Sequence, residues 1–263
     1  MESDREPVTA LRYVPALDGL RGLSVIAVLC YHQHRLSGGT DWAIGGYLGV
    51  SAFFTLSGYL ITSLLLAEFD RLGTIRLVTF WARRLRRLLP AALVALVVCL
   101  SSAALFLPGE YSVGLRDDAL GTLVYATNWR FLVGGTSYAE VNGASSPVLH
   151  FWSLAIEEQF YLVWPAVVAA LLRWRSRRAV GWAAAVAIVG SAVTSAALNH
   201  AGASLDHLYL ATYTRAAELG VGSLIAVARP LYRHVGRPTR FPWLGPLAGL
   251  SARGGVMSWT CDL

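Results

Sequence analysis

Lysine is absent from this chain; all 22 basic residues are arginine. Charge as a whole is scarce. Only 14% of residues are charged, against about 25% in an average soluble domain, while 55% are hydrophobic and the mean hydropathy is +0.51. So few charges cannot cover the surface of a soluble enzyme of 263 residues, and the same apolar excess excludes disorder. Cysteine is nearly missing too. Cys30, Cys99 and Cys261 are the whole complement, two of them inside apolar runs, which excludes a disulfide scaffold. There is no His-Glu-x-x-His or Cys-x-x-Cys pattern, and His32 and His34 stand on different faces of one helix, so no metal site is expected. A phosphate-binding glycine loop, a dinucleotide fingerprint and internal repeats are likewise lacking. An integral membrane protein remains, expected to be an all-α, polytopic transmembrane bundle.

The net charge is +6 and the sequence pI about 9.5. Nucleic acid is not the expected partner, because the arginines sit in short clusters between apolar runs, the pattern of cytoplasmic loops beside a lipid bilayer. A helix needs about 20 mostly apolar residues to cross a bilayer. Six stretches qualify: 17–35, 47–67, 89–107, 152–172, 179–198 and 208–228. With these spans, 1–16, the loop at 70–88, the Arg-Trp-Arg-Ser-Arg-Arg loop at 173–178 and 229–240 share one side and hold sixteen of the arginines. The other side receives Arg35, Arg116 and Arg130. The positive-inside rule then puts the N-terminus in the cytoplasm. The apolar stretch 119–134 is short, and counting it as a span would move the 173–178 arginines outside. It reads as one short outer-face or re-entrant helix. The first span lacks a small-residue cleavage site and reads as a retained helix. The chain thus divides into a cytoplasmic segment, 1–16, a transmembrane domain, 17–228, and a basic loop with an atypical tail, 229–263, whose end reads as that of a fragment or of a shifted reading frame.

Ionisable groups inside spans are costly and mark function. The first span holds Asp18, Arg21 and His32. Arg21 and His32 are eleven residues apart, within about 20° of one face and about 16 Å apart along the axis. That puts Arg21 toward the cytoplasmic side and His32 toward the outer side, with Asp18 one turn from Arg21 and able to pair with it. Plainer readings also exist: Arg21 snorkelling to headgroups, and His32 as an interfacial or core histidine. His34 points elsewhere. The fourth span carries Glu157, Glu158 and Gln159 in a row, with His150 seven residues before Glu157 and on its face. These groups read either as a site or as a polar network tying helices together. Trp152, Tyr161 and Trp164 read as aromatics of the membrane-interface belt. Arg215 and Glu218, at i and i+3, read as a self-neutralising pair. Ser57-Gly58 lies in the second span without the strand–turn–helix setting of a nucleophile elbow. Finally, Arg83, Arg84, Arg86 and Arg87 form a basic amphipathic segment suited to lipid phosphates or to a phosphorylated donor arriving from the cytoplasm.

Taken together, LDGLRGLSVIAVLCYH (17–32), GGYLGVSAFFTLSGYLIT (45–62), RRLRRLLP (83–90), SPVLHFWSLAIEEQFYLVWP (146–165) and YTRAAELGVGSLIA (213–226) resemble, in that order, the acyltransferase-3 family of integral membrane O-acyltransferases. The resemblance identifies Arg21 and His32 with the family's Arg-x10-His. It implies transfer of an acyl group, often acetyl, from acyl-CoA to a hydroxyl of a surface glycan, a lipid-linked sugar or an antibiotic sugar. It also implies a multi-pass protein of the bacterial inner membrane with no permanently bound cofactor and a carbohydrate or glycolipid acceptor as partner. Members typically have more spans than this chain supplies. Ser51 stands where relatives often carry an acid. In this reading His32 is the base, since imidazole titrates near neutrality, and Glu157 orients it if the first and fourth spans touch. Arg21 holds donor phosphate or developing oxyanion, and Arg83, Arg84, Arg86 and Arg87 hold CoA phosphates. Asp18, Ser57, His150, Glu158, Arg215 and Glu218 are further polar candidates. A transporter of glycans or organic acids, or an inactive truncated remnant, would also place charges in spans.

Overall fold

The structure is a computed structural model and describes residues 14–37, 45–106, 114–134, 146–174 and 176–229. Nearly all of the 1–16 and 229–263 segments therefore lies outside the described residues, and so does any reading of the chain's end. Among the described residues all regular structure is helical: α1 (Pro15–Ser37), α2 (Leu48–Leu72), α3 (Leu77–Phe106), α4 (Leu115–Leu123), α5 (Thr127–Gly134), α6 (Phe151–Trp174), α7 (Arg177–His200), α8 (Leu205–Leu210) and α9 (Thr212–Ala228). The all-α expectation holds.

Four of these helical segments are long and apolar enough to cross a membrane: Gly45–Leu72, Leu77–Phe106, Phe151–Arg173 and Arg177–His200. The expected count of six is not confirmed. α1 carries Asp18, Arg21 and His32 among its apolar residues. α9 has 17 residues, about 26 Å of helix against a hydrocarbon core of about 30 Å, and it carries Arg215 and Glu218. Two boundaries also differ from expectation. The basic stretch expected as a loop at 70–88 is helical from Leu77 and continues through Pro90 into the apolar half of α3. The single short helix expected at 119–134 is two, α4 and α5, of nine and eight residues. They break at Tyr125, a non-glycine residue at φ 54, whose carbonyl accepts from Gln159 Nε2 at 2.8 Å.

Close approach of α2 and α9 organises the bundle. A Cβ on Gly58 would lie 2.0 Å from Leu219 O, and one on Gly222 would lie 1.9 Å from Thr55 O. Only glycine permits backbones this near, the usual device where lipid gives helices no hydrophobic reason to associate. Small hydroxyls join the seam: Thr62 donates to Ser223 (2.9 Å) and Ser223 to Leu219 O (2.9 Å). Trp164 Nε1 donates to Thr62 from α6 (2.8 Å). α7 closes on α9 at Gly220, where Ile188 and Ala184 O fill the space of a side chain. The turn from α2 to α3 uses Gly73 at φ 68, its N–H donating to Phe69 O at 2.7 Å. Trp152, Tyr161 and Trp164 are 1%, 3% and 8% exposed, so they pack in the core and are not belt aromatics. These aromatic side chains of α6 point inward, while Leu162 and Val163 on another side of the helix are 61% and 59% exposed. In contrast, α3 buries only Phe80, Leu96 and Ala103.

Candidate active site

Two apolar clusters fill the bundle, one around Phe54, Trp152 and Ile156, the other around Ile61, Tyr161 and Trp164. Ser57 and Glu157 lie between them on α2 and α6. Ser57 Oγ donates to Glu157 Oε1 at 2.7 Å. The Tyr161 hydroxyl stands 2.8 Å from Ser57 Oγ and 3.2 Å from Glu157 Oε2, able to donate to either. Tyr161 is one turn from Glu157, so i, i+4 spacing was the available signal for this partner. On the far side of its ring, Arg84 Cζ stacks 3.8 Å from the centroid, and Trp81 Nε1 donates to Tyr161 O at 3.0 Å. Arg84 and Arg21 both lie within electrostatic reach of Glu157. Glu158, one position on, faces away from Ser57 and acts on Arg84 and Tyr125; its Oε1 and Arg84 Nε are buried without a hydrogen-bond partner. Burial first, and the negative Glu158 second, push the Tyr125 hydroxyl above its usual pKa.

The first and fourth expected spans do touch, but through a different residue from the one anticipated. The His32 ring meets His150 edge to face, centroids 4.8 Å apart, while the Glu157 carboxylate is engaged by Ser57 and Tyr161. His32 Nδ1 lies 2.8 Å from Val28 O. A carbonyl only accepts, so Nδ1 carries the proton of the neutral ring and Nε2 carries the basic lone pair. His150 keeps an exposed edge, yet protein crowds the rest of its ring. This desolvation first, and repulsion from His32 in its protonated form second, hold its pKa below the usual value.

Below the histidine pair lies a cavity of about 260 Å³ between α1, α2 and α6, walled by Val25, Leu29, Phe53 and Leu154, with Ser153 and Glu157 as its polar groups. His32 stands one turn above Val28 and Leu29, His150 one turn above Ser153. A larger space, about 600 Å³ by the α2–α3 turn and Arg173, touches no candidate residue, so chemistry rather than size selects the smaller one.

The other candidates are placed as follows. Asp18 and Arg21 pair at 3.7 Å, both partly exposed. Of the four clustered arginines, Arg84 turns inward, while Arg83, which meets Glu68 at 3.7 Å, Arg86 and Arg87 stand at i, i+3 and i+4 on one exposed face of α3. Arg215 and Glu218 pair at 2.8 Å but are not self-contained. Arg215 also donates to Tyr209 O and lies over the Tyr209 ring at 4.2 Å, while Ser51 donates to Glu218 at 3.2 Å. A second network joins Gln159, read from the sequence either as part of a site or as part of a helix-tying polar network, to Asn128 and Thr212, which sequence reasoning did not single out. Gln159 Nε2 donates to Asn128 Oδ1 (2.9 Å), Asn128 Nδ2 to Thr212 Oγ1 (3.0 Å), and Thr212 Oγ1 to Gln159 Oε1 (2.6 Å). Residues this far apart in sequence carry no spacing signal. Among the described residues no cluster of three or more metal-ligating side chains occurs.

A family model described as an acyltransferase domain matches residues 14–254. The chain is 41% identical over 223 residues to a peptidoglycan O-acetyltransferase of Listeria monocytogenes, covering 84% of this chain and 35% of that protein. It is 39% identical over 223 residues to a putative peptidoglycan O-acetyltransferase of Bacillus subtilis (84% and 34%). Over 229 residues it is 38% identical to a putative O-acetyltransferase of Staphylococcus aureus strain COL (85% and 36%). The chain thus spans about a third of the length of these relatives. No solved structure matches it.

Proposed function

This chain belongs to the acyltransferase-3 family, and from that premise we propose that it transfers an acetyl group from acyl-CoA to a hydroxyl of a bacterial cell-surface glycan. Peptidoglycan is the favoured acceptor, because two of the relatives carry it in their names. The protein acts in the inner membrane with its N-terminus in the cytoplasm, the side favoured by the arginine distribution. The observation that carries the reading is the His32–His150 contact above a cavity that ends on Glu157.

The chemistry follows from these groups. His32 Nε2 takes the proton of the acceptor hydroxyl as its oxygen attacks the thioester carbonyl. The C–O bond forms, the C–S bond breaks, and the imidazolium returns the proton to the departing thiolate sulfur. His150 packs the imidazole into one orientation. Glu157, held by Ser57 and Tyr161, and Arg21 and Arg84 around it set the field of the site, where fixed charges act more strongly than in water. Arg83, Arg86 and Arg87 supply phosphate partners for CoA. The test is His32→Ala in membranes given radiolabelled acetyl-CoA and glycan acceptor. Loss of labelled glycan with unchanged membrane insertion is expected; near-normal labelling removes the base assignment.

The 2.7 Å Ser57–Glu157 hydrogen bond favours a second reading in which Ser57 carries the acyl group between donor and acceptor. Acid-quenched protein would then show acetyl on Ser57 by mass spectrometry; an unmodified Ser57 under turnover leaves direct transfer.

A further inference from the structure

The space between α1, α2 and α6 is open on one side, where Val25 and Leu29 are 44% and 62% exposed, and it is larger than an acetyl group requires. Its volume is about 260 Å³. A water molecule occupies about 30 Å³ in the liquid, and an engineered apolar cavity of about 150 Å³ holds benzene. Its walls are branched aliphatic and aromatic side chains, among them Val25, Leu29, Phe53 and Leu154. Polar groups enter at one place only, where Ser153 and Glu157 stand on one face of α6.

A groove that merely faced lipid would not carry a carboxylate in its wall, since ionisable groups at membrane depth face the protein interior or a functional path. Glu157 is moreover tied to Ser57 and Tyr161, so it forms a fixed polar end to the space. The α1–α2 crossing that bounds the cavity is also built closely. A Cβ on Gly49 would stand 2.5 Å from Ser24 O and 2.8 Å from Val28 Cγ2, and Gly49 is what lets α1 come near enough for Val25, Val28 and Leu29 to form a wall.

We propose that this cavity is the acyl-chain pocket and that it admits linear acyl groups longer than acetyl, with the reacting carbonyl beside Ser153, beneath the His32–His150 pair, and the chain lying against Val25, Leu29, Phe53 and Leu154. The inference rests on the acyl-transfer reading and adds the chain-length class to it. Val25 and Leu154 set the depth. Each methylene buried against these walls raises kcat/KM by up to about fourfold.

Two measurements test this in membranes containing the full chain. The first compares acetyl-, butyryl- and hexanoyl-CoA as donors. Butyryl and hexanoyl are expected to be transferred with kcat/KM at or above that of acetyl. Val25→Phe and Leu154→Phe, which fill the space, are expected to lower the hexanoyl-to-acetyl ratio at least tenfold. The second needs no turnover: a hexanoyl-CoA analogue with a terminal diazirine is photolysed, and the label is expected in the peptides containing Val25–Leu29 and Ser153–Glu157. Labelling there without transfer of any acyl group would remove the proposed function and leave the pocket assignment standing. Acetyl transfer with hexanoyl neither transferred nor crosslinked there would overturn the pocket assignment and leave the function. Labelling of the same peptides by a diazirine phospholipid that hexanoyl-CoA fails to displace would also overturn it, assigning the cavity to bilayer lipid.

Discussion

Gly222→Ala is the smallest change that should disable the site from a distance. The added Cβ would fall 1.9 Å from Thr55 O and 2.6 Å from Tyr59 N, where real Cβ atoms stay beyond 3.0 Å. The opposing atoms are backbone, so no side chain can swing aside. α2 and α9 must therefore part by at least the 1.1 Å difference between 3.0 and 1.9 Å. The Thr62–Ser223 hydrogen bond, 2.9 Å long, would stretch past the range of a useful bond. Each interhelical bond of this kind contributes about 0.6 kcal/mol, and lost packing along the seam adds more, so a loss of about 2–3 kcal/mol is expected. Activity should fall further than stability. Ser57 rides on α2 beside the contact, and its 2.7 Å bond to Glu157 on α6 cannot survive such a shift unchanged; displacement by about 1 Å costs about a hundredfold in rate. Gly190→Ala is the matched control, since its Cβ would meet nothing within 4 Å. The assay is thermal unfolding followed by tryptophan fluorescence in nanodiscs, with acetyl transfer measured on the same samples. If Gly222→Ala and Gly190→Ala have the same midpoint and the same activity, the α2–α9 seam does not position the site and the reasoning fails.

Three further outcomes are expected. The pKa of His150 lies below its usual value near 6.5, so below that pH the unfolded chain binds more protons than the folded protein, and stability falls as pH drops from about 6.5 toward the lowered value. The unfolding midpoint of the parent chain should be lower at pH 5.5 than at pH 7.5, and His150→Asn should shrink that difference. Asn128→Ala, which removes a buried side chain bonded to Leu210 O, Thr212 and Gln159, should cost about 2–3 kcal/mol in unfolding free energy. Arg84→Lys keeps the charge but loses the planar stack on Tyr161; acetyl-transfer kinetics should show kcat reduced several-fold with the KM for acyl-CoA nearly unchanged.

Much of the candidate site was legible because intramembrane charges are so rare that each one stands out. Asp18, Arg21, His32, Glu157 and Glu158 are visible against apolar runs for that reason, and the i, i+3 pair Arg215–Glu218 follows from helix geometry alone. Roles were less legible than residues. Arg84 is one of four arginines in five positions, and nothing in the sequence distinguishes the one that turns inward onto Tyr161 from those that face out. Tyr161 and Trp164 read as interface aromatics because an aromatic side chain looks the same to a sequence whether lipid or α2 lies beside it. Tyr125 gave no sign of its left-handed backbone or of the bond its carbonyl accepts from Gln159.

The sequence by itself determined the class of molecule: scarce charge, long apolar runs and clustered arginine leave a helical membrane protein, and five motifs in order determine the family. Those properties are local or additive along the chain, so they need no knowledge of what packs against what. Only the tertiary structure decided that His150, not Glu157, meets His32, that Glu157 bonds Ser57 a hundred residues away, and that a cavity opens between them. Those facts depend on how close α2 can approach α9 and α1, and that distance is set by glycines pressed against backbone carbonyls on another helix, a contact between distant segments that periodicity along one helix does not encode.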